Sequence, residues 1–279
     1  MSSCCPPGSW PALESDTTHY KPQGQITDIG DGIEAYIVHG NKNTTDNDNG
    51  SGDNNDKNTN GCLVSFQDIF AYDSARHFQV VDQFAVSGGY TVVHVNFLGR
   101  DGWYRGDFSD FADWYRDHSY DAFIRPRLQR VVFPYITQTL GYEKVATIGF
   151  CYGSYVSFMA ADDTEVASRY IVAGVGYHPS HKGHVNIDPS DPECNVPASR
   201  IAVPQLLVSA NNDPDFVKPN GSLIVTLQSN HSPSSQAVVF DDMSHGWVNR
   251  GDVRDPIVKN GVKKAIQMAI DFLQKHMNG

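Results

Sequence analysis

Residues 144–161 read Lys144-Val145-Ala146-Thr147-Ile148-Gly149-Phe150-Cys151-Tyr152-Gly153-Ser154-Tyr155-Val156-Ser157-Phe158-Met159-Ala160-Ala161. The six after Lys144 are apolar or β-branched, the pattern of a strand buried on both faces. From Tyr152 the run reads as a helix. Between the two, Gly149-Phe150-Cys151-Tyr152-Gly153 sets a thiol on a bend between glycines. A G-x-nucleophile-x-G turn from strand to helix needs small flanks, because the nucleophile sits on a sharp, strained bend. The bend points the side chain out of the sheet and towards the helix N-terminus, whose dipole favours a thiolate. The next N–H, on Tyr152, is then aimed at a developing oxyanion. An inert buried cysteine in a Gly-rich turn has the same local sequence, so the bend alone leaves both roles open.

Working outward, residues 62–66 form a short apolar run and residues 90–96 (YTVVHVN) a β-branched one, both strand candidates. Residues 74–86 read as a helix ending at Gly88-Gly89. Residues 125–140 carry apolar residues at helical spacing, with Pro126 near the start and Pro134 expected to kink them. Residues 169–177, 204–210 and 237–240 read as further strands, and residues 262–276 as a closing amphipathic helix. Upstream, residues 26–40 read as two short strands around a turn at residues 30–32. Strands alternating with helices predict an α/β fold, a mostly parallel sheet with helices on both faces. No repeat and no second apolar core are visible. The expected organisation is an N-terminal arm over residues 1–24, rich in Pro, Ser and Gly, and one α/β domain over residues 25–279. Residues 41–60, NKNTTDNDNGSGDNNDKNTN, have no apolar side chain to place in a core and read as a solvated loop within that domain.

Composition limits the function classes. Of 279 residues, 40% are hydrophobic and 19% charged, an ordinary globular balance. The formal net charge of −11 repels phosphate backbones, so no nucleic-acid partner is expected. Five cysteines at irregular spacing (Cys4, Cys5, Cys62, Cys151 and Cys194) make no disulfide framework and suit a reducing compartment. The opening MSSCCPPGSW lacks the basic and apolar regions of a secretory signal, and Ser2 excludes N-myristoylation. Nothing basic flanks Cys4 and Cys5 to support acylation. The longest strongly apolar run, residues 145–161, is broken by Gly149 and Gly153 and is a poor membrane span. A cytoplasmic location with no membrane association is the expectation.

A catalytic cysteine needs a base, and the base needs a carboxylate to fix its tautomer. Residues 204–210 run into Asn211-Asn212-Asp213-Pro214-Asp215, and residues 237–240 run into Asp241-Asp242-Met243-Ser244-His245-Gly246-Trp247. Both candidates, Asp213 and His245, fall just past strand C-termini, where open α/β sheets place their sites. The order nucleophile, acid, histidine is that of α/β-hydrolases. Taken alone, His245 is an ordinary turn histidine; the elbow and the acid in sequence make it the candidate base.

With these motifs the chain resembles the dienelactone hydrolases of the α/β-hydrolase fold, over residues 25–276 with 41–60 as an interruption. Most α/β-hydrolases carry Ser at the elbow, whereas this family has G-x-C-x-G, as at residues 149–153. Its Gln-Glu-Ile-Phe stretch is similar to Gln67-Asp68-Ile69-Phe70 here. The resemblance implies hydrolysis of a small-molecule ester or lactone, with no cofactor and no metal. It implies Cys151 as nucleophile, His245 as base, Asp213 as orienter, and the backbone N–H groups of Ile69 and Tyr152 as the oxyanion hole. The family's early Glu, which modulates the thiol, is replaced by Asp68, one methylene shorter. Its substrate-binding arginines fall at Arg100 and near Arg250, the second offset by one position, with Asn249 at the family's spacing.

Other readings remain. Class I amidotransferase-like proteins share G-x-C-x-G but follow their histidine with Glu two residues on, where this chain has Trp247. A non-catalytic ligand-binding or regulatory protein on a hydrolase scaffold would suit Asp68 and the long insertion. His178, His181 and His184 sit three apart, but Pro179 and Gly183 make that run a loop, poor scaffolding for zinc. Asp46-Asn47-Asp48-Asn49-Gly50 has the look of a calcium loop without the Glu at its twelfth position. The aromatics Trp103, Tyr104, Phe108, Phe111, Trp114 and Tyr115 fit either a site lining or plain packing. Because loop-closure entropy grows slowly with length, exchanging residues 41–60 for a short Gly/Ser turn should change stability by less than about 1 kcal/mol, measured as the shift of the urea unfolding midpoint.

Overall fold

The computed structural model of the chain describes residues 5–11, 20–40, 59–99 and 110–277. Most of the expected loop at 41–60, together with Arg100, Trp103, Tyr104 and Phe108, lies outside the described residues. The strands are β1 (Gln25–Asp28), β2 (Glu34–Val38), β3 (Cys62–Phe66), β4 (Thr91–Val95), β5 (Val145–Phe150), β6 (Ile171–Tyr177), β7 (Gln205–Ala210) and β8 (Gln236–Phe240). They form one sheet in the order β1-β2-β4-β3-β5-β6-β7-β8. The β1–β2 and β2–β4 pairs are antiparallel, and every later neighbour is parallel. The α-helices are α1 (His77–Gly88), α2 (Phe111–Asp117), α3 (Arg125–Arg127), α4 (Tyr152–Asp162), α5 (Thr164–Tyr170), α6 (Asn195–Arg200), α7 (Ser222–Ser229), α8 (Trp247–Arg250) and α9 (Pro256–Met277).

The central strands β3, β4 and β5 are buried along their whole length, which is why they read as near-continuous apolar runs, interrupted by Ser65, Thr91, His94 and Thr147. One face packs against α1, α8 and α9 through Val80, Phe84, Trp247, Ile266 and Ile270. The other packs against α4, the helical run after residue 120 and α7. Of the aromatics whose role the sequence left open, Trp114 packs tilted and Tyr115 edge-on against Tyr152 of α4, with ring centroids 5.6 and 5.7 Å away.

Three elements differ from the sequence expectation. The helix expected over residues 125–140 is a run of wide turns: after α3 come π-helical turns at Leu128–Val132 and Tyr135–Thr139. Pro134 stands between them, and its missing N–H removes an i→i−4 bond where the run widens. Leu140 accordingly donates five residues back, to the Tyr135 carbonyl at 3.1 Å. The strand expected from residue 169 begins at Ile171, because α5 occupies the residues before it. Asp163 caps α5, its carboxylate accepting from Glu165 and Val166 N–H. Finally, α9 starts at Pro256 rather than at residue 262.

The parallel strands all end at one edge of the sheet. Asp68 follows β3, Cys151 follows β5, His178 and Ser180 follow β6, Asp213 follows β7 and His245 follows β8. At the elbow the chain turns so tightly that α4 rests on β3. A Cβ on Gly153 would stand 2.3 Å from the carbonyl oxygens of both Phe66 and Gln67, and one on Gly149 would stand 2.2 Å from the Gly153 oxygen. Gly153→Ala must push α4 off β3 backbone and should cost at least about 1–3 kcal/mol. Equilibrium urea unfolding checks this, and an unchanged midpoint would show that the contact yields freely.

Candidate active site

Cys151 adopts φ 55° and ψ −116°, a region that a residue with a Cβ rarely visits. Neighbouring strands hold it there. Its N–H donates to the Tyr177 carbonyl at 3.0 Å, and its carbonyl accepts from Ser154 N–H at 3.0 Å and Ser180 N–H at 3.3 Å. The thiol is buried, 3.0 Å from Ser180 Oγ.

The histidine and the acid come from the turns after β8 and β7. His245 Nδ1 lies 2.6 Å from Asp213 Oδ1. The other carboxylate oxygen of Asp213 accepts from Ala210 N–H at 2.7 Å, and Asn212 Oδ1 accepts from His245 N–H at 2.7 Å. These bonds fix both loops, and they fix the imidazole tautomer with Nδ1–H towards the acid. Nε2 is buried with no hydrogen-bond partner among the described residues. A ring nitrogen of His245 and the sulfurs of Cys151 and Cys5 all lie within 4.8 Å of one another. Burial alone would favour the neutral ring. The Asp213 carboxylate, followed by the two sulfurs, outweighs it and holds the imidazolium well above the ordinary histidine range. His178 packs edge-on to His245 with centroids 5.1 Å apart. Burial and then the charge of His245 push it well below that range, so it stays neutral.

Asp68 is also fully buried, and its carboxylate enters a hydrogen-bonded network. It pairs with the Arg250 guanidinium and accepts from Asn249 Nδ2 at 2.7 Å and Phe70 N–H at 2.9 Å. His77 Nε2 lies 3.5 Å away. Burial would raise the Asp68 pKa, but Arg250 and then His77 reverse this and bring it to about 2. Arg250 is equally buried; it donates through Nε to the Trp10 carbonyl at 3.1 Å and keeps Nη2 without a partner among the described residues. The structure therefore brings Cys151, His245 and Asp213 together and sets Asp68, Asn249 and Arg250 beside them as a group. The predicted oxyanion donors are placed by the chain at the elbow and after β3. Tyr152 follows Cys151 directly, and Ile69 lies two residues past the Gln67 carbonyl that touches Gly153. Arg100 falls outside the described residues.

Sequence reasoning missed the other wall of the site. Residues 5–11 lie across it: Cys5 Sγ is 3.5 Å from Cys151 Sγ, Trp10 N–H donates to the His245 carbonyl at 2.9 Å, and Asn212 Nδ2 donates to the Pro7 carbonyl at 2.9 Å. Cys5 was legible as a cysteine, but the contacts that seat its segment run largely through backbone atoms and leave no pattern in the sequence. The His178, His181 and His184 run forms no ligand cluster among the described residues. His184 accepts or donates to Tyr155 Oη at 3.0 Å, and His181 packs edge-on against Phe158.

The dienelactone hydrolase family profile matches residues 53–277. The chain belongs to the dienelactone hydrolase family. A carboxymethylenebutenolidase homolog of Rattus norvegicus is 25% identical over 220 residues, covering 77% of this chain and 82% of that protein. Its counterpart in Xenopus tropicalis is 24% identical over 225 residues, 79% of this chain and 84% of that protein. Among solved structures, the dienelactone hydrolase-like promiscuous phosphotriesterase P91 from metagenomic libraries superposes with a TM-score of 0.62 at 15% identity, over 96% of this chain and 99% of that one. The dienelactone hydrolase of Anabaena variabilis gives a TM-score of 0.56 at 13% identity, over 91% and 99%. These likenesses establish the α/β-hydrolase fold. Among the described residues no helix is long and apolar enough to cross a membrane.

Removing one member of a buried ion pair strands the other. Asp68→Asn should therefore destabilise the fold by about 3–5 kcal/mol, and the Asp68→Asn/Arg250→Met double variant should recover much of that loss. Urea unfolding of both variants measures it. The folded pKa of Asp68 lies below its ordinary 3.8, so its contribution to stability is present above that pH and is lost as pH falls towards 2. An unfolding midpoint recorded between pH 5 and pH 2 should fall more steeply in the wild type than in the double variant.

Proposed function

We propose that this chain hydrolyses a small ester or lactone through a thioester on Cys151. The observation that carries the reading is the convergence, at one sheet edge, of a strained elbow thiol with a buried His245 already oriented by Asp213.

The steps follow from that arrangement. His245 takes the Cys151 proton, and the resulting imidazolium is stabilised by Asp213. The thiolate attacks the substrate carbonyl. The negative charge that develops on the carbonyl oxygen is received by the N–H groups of Tyr152 and Ile69. Collapse of the tetrahedral intermediate expels an alkoxide, which takes the proton from His245 and leaves an acyl-Cys151. In a lactone the alkoxide stays tethered to the acyl group. A water molecule then gives a proton to His245 and attacks the thioester. The second intermediate collapses to a carboxylic acid, and Cys151 recovers its proton.

Arg250 fits the substrate-binding role only in part, because Asp68 already balances its charge. What remains is the single N–H edge at Nη2, enough to orient a carboxylate rather than to neutralise it. Arg100 would then carry the main electrostatic share for an anionic substrate.

Cys151→Ala should fold normally and lose at least ~10⁴-fold in kcat/KM towards p-nitrophenyl acetate or a small lactone, because it has no covalent route. Steady-state kinetics with a circular dichroism check on folding tests this. Retention of most of the activity in the folded variant would sink the mechanism.

A further inference from the structure

The thiol next to Cys151 has no place in the hydrolysis above. Cys5 Sγ stands 3.5 Å from Cys151 Sγ, and a disulfide requires about 2.05 Å. Closing that gap is a matter of side-chain rotation and a small shift of an N-terminal segment. The segment is held in register by bonds from Asn212 to Pro7, from Trp10 to His245 and from Arg250 to Trp10. Cys5 is partly exposed, whereas Cys151 is fully buried behind it. Neither is disulfide-bonded in the structure. Two cationic groups, the His245 imidazolium and the buried Arg250 guanidinium, serve the pair. Such surroundings favour thiolates and oppose an added metal cation.

We propose that Cys5 and Cys151 are a dithiol pair which a hydroperoxide converts to a disulfide, making Cys5 an oxidation site and its segment a reversible cover for the nucleophile. The partly exposed Cys5 thiol attacks the peroxide, the O–O bond breaks, and Cys5 sulfenic acid and an alcohol (or water) form. The Cys151 thiolate attacks the Cys5 sulfur, the S–O bond breaks, and the departing hydroxide takes the His245 proton and leaves as water. Two thiols lose two electrons and two protons in total, and the peroxide is reduced by two electrons. A dithiol reductant reverses the reaction by exchange. The chemistry is separate from ester cleavage and needs only the two sulfurs and the neighbouring base.

The test uses the full chain exposed to hydrogen peroxide, then alkylated with iodoacetamide, digested and analysed by mass spectrometry. The expected product is a peptide joining Cys5 to Cys151, two hydrogens lighter than the separate thiol peptides. Alkylation of Cys151 should drop about tenfold or more and return after dithiothreitol. Cys5→Ser should give no joined peptide and no dithiothreitol-dependent recovery, whereas Cys4→Ser should behave as the wild type. A Cys4–Cys5 disulfide within one peptide, or fragment ions that place the link to Cys151 at Cys4 rather than Cys5, would overturn the assignment. So would sulfinic acid on Cys151 forming at equal rates in wild type and Cys5→Ser. A chain whose two thiols stay reduced under peroxide and instead retain zinc through gel filtration would overturn it in favour of a metal site. None of these readouts uses a substrate, so failure here and failure of the hydrolase reading are separately visible.

Discussion

The backbone of Cys151 is held in a conformation that costs on the order of 1–3 kcal/mol for a residue with a Cβ. It persists because bonds to Tyr177, Ser154 and Ser180 and the close contacts of Gly149 and Gly153 leave the chain no alternative. The parallel pairing of β3, β5 and β6 supplies those partners, so the sheet sets the thiol's position. The loops after β7 and β8 then need only carry Asp213 and His245 to the same edge, and the hydrogen bonds of Asn212 and Ala210 lock them there.

Two buried carboxylates lie close to this thiol and serve different ends. Asp213 faces His245 and favours its charged form. Asp68 faces Arg250, Asn249 and His77, and its charge is satisfied before any substrate arrives. The shorter side chain at this position goes with a carboxylate anchored to α8. That pairing joins the turn after β3 to the helix after β8, across the whole width of the site.

The strand ends and the elbow were legible because both are local. Residues 62–66, 145–150 and 205–210 are apolar runs of strand length, and the glycines at 149 and 153 mark the bend directly. That Cys151, His245 and Asp213 would meet was legible because chain order and strand ends restrict where an acid and a base can stand. Helix α5 was missed although Asp163-Thr164-Glu165 carries a capping signal, because the apolar run beyond it drew the strand boundary too early. The pairing of Asp68 with Arg250 joins positions far apart in the chain, and charge counts alone do not show which acid meets which base. Wide turns around Pro134 were legible as an interruption but not in kind. The docking of residues 5–11 was hidden for a different reason, since carbonyls and N–H groups look alike at every position.

The segment over Cys151 also sets a population term for any ligand of the site. If a molecule can reach the thiol only once residues 5–11 have left it, its apparent dissociation constant is the intrinsic one divided by the open fraction. Three hydrogen bonds at about 1 kcal/mol each, before the entropy regained by the freed segment, would leave on the order of one chain in a hundred open. Weak apparent affinity in this protein would then report how firmly residues 5–11 are seated, not a poor match between pocket and ligand.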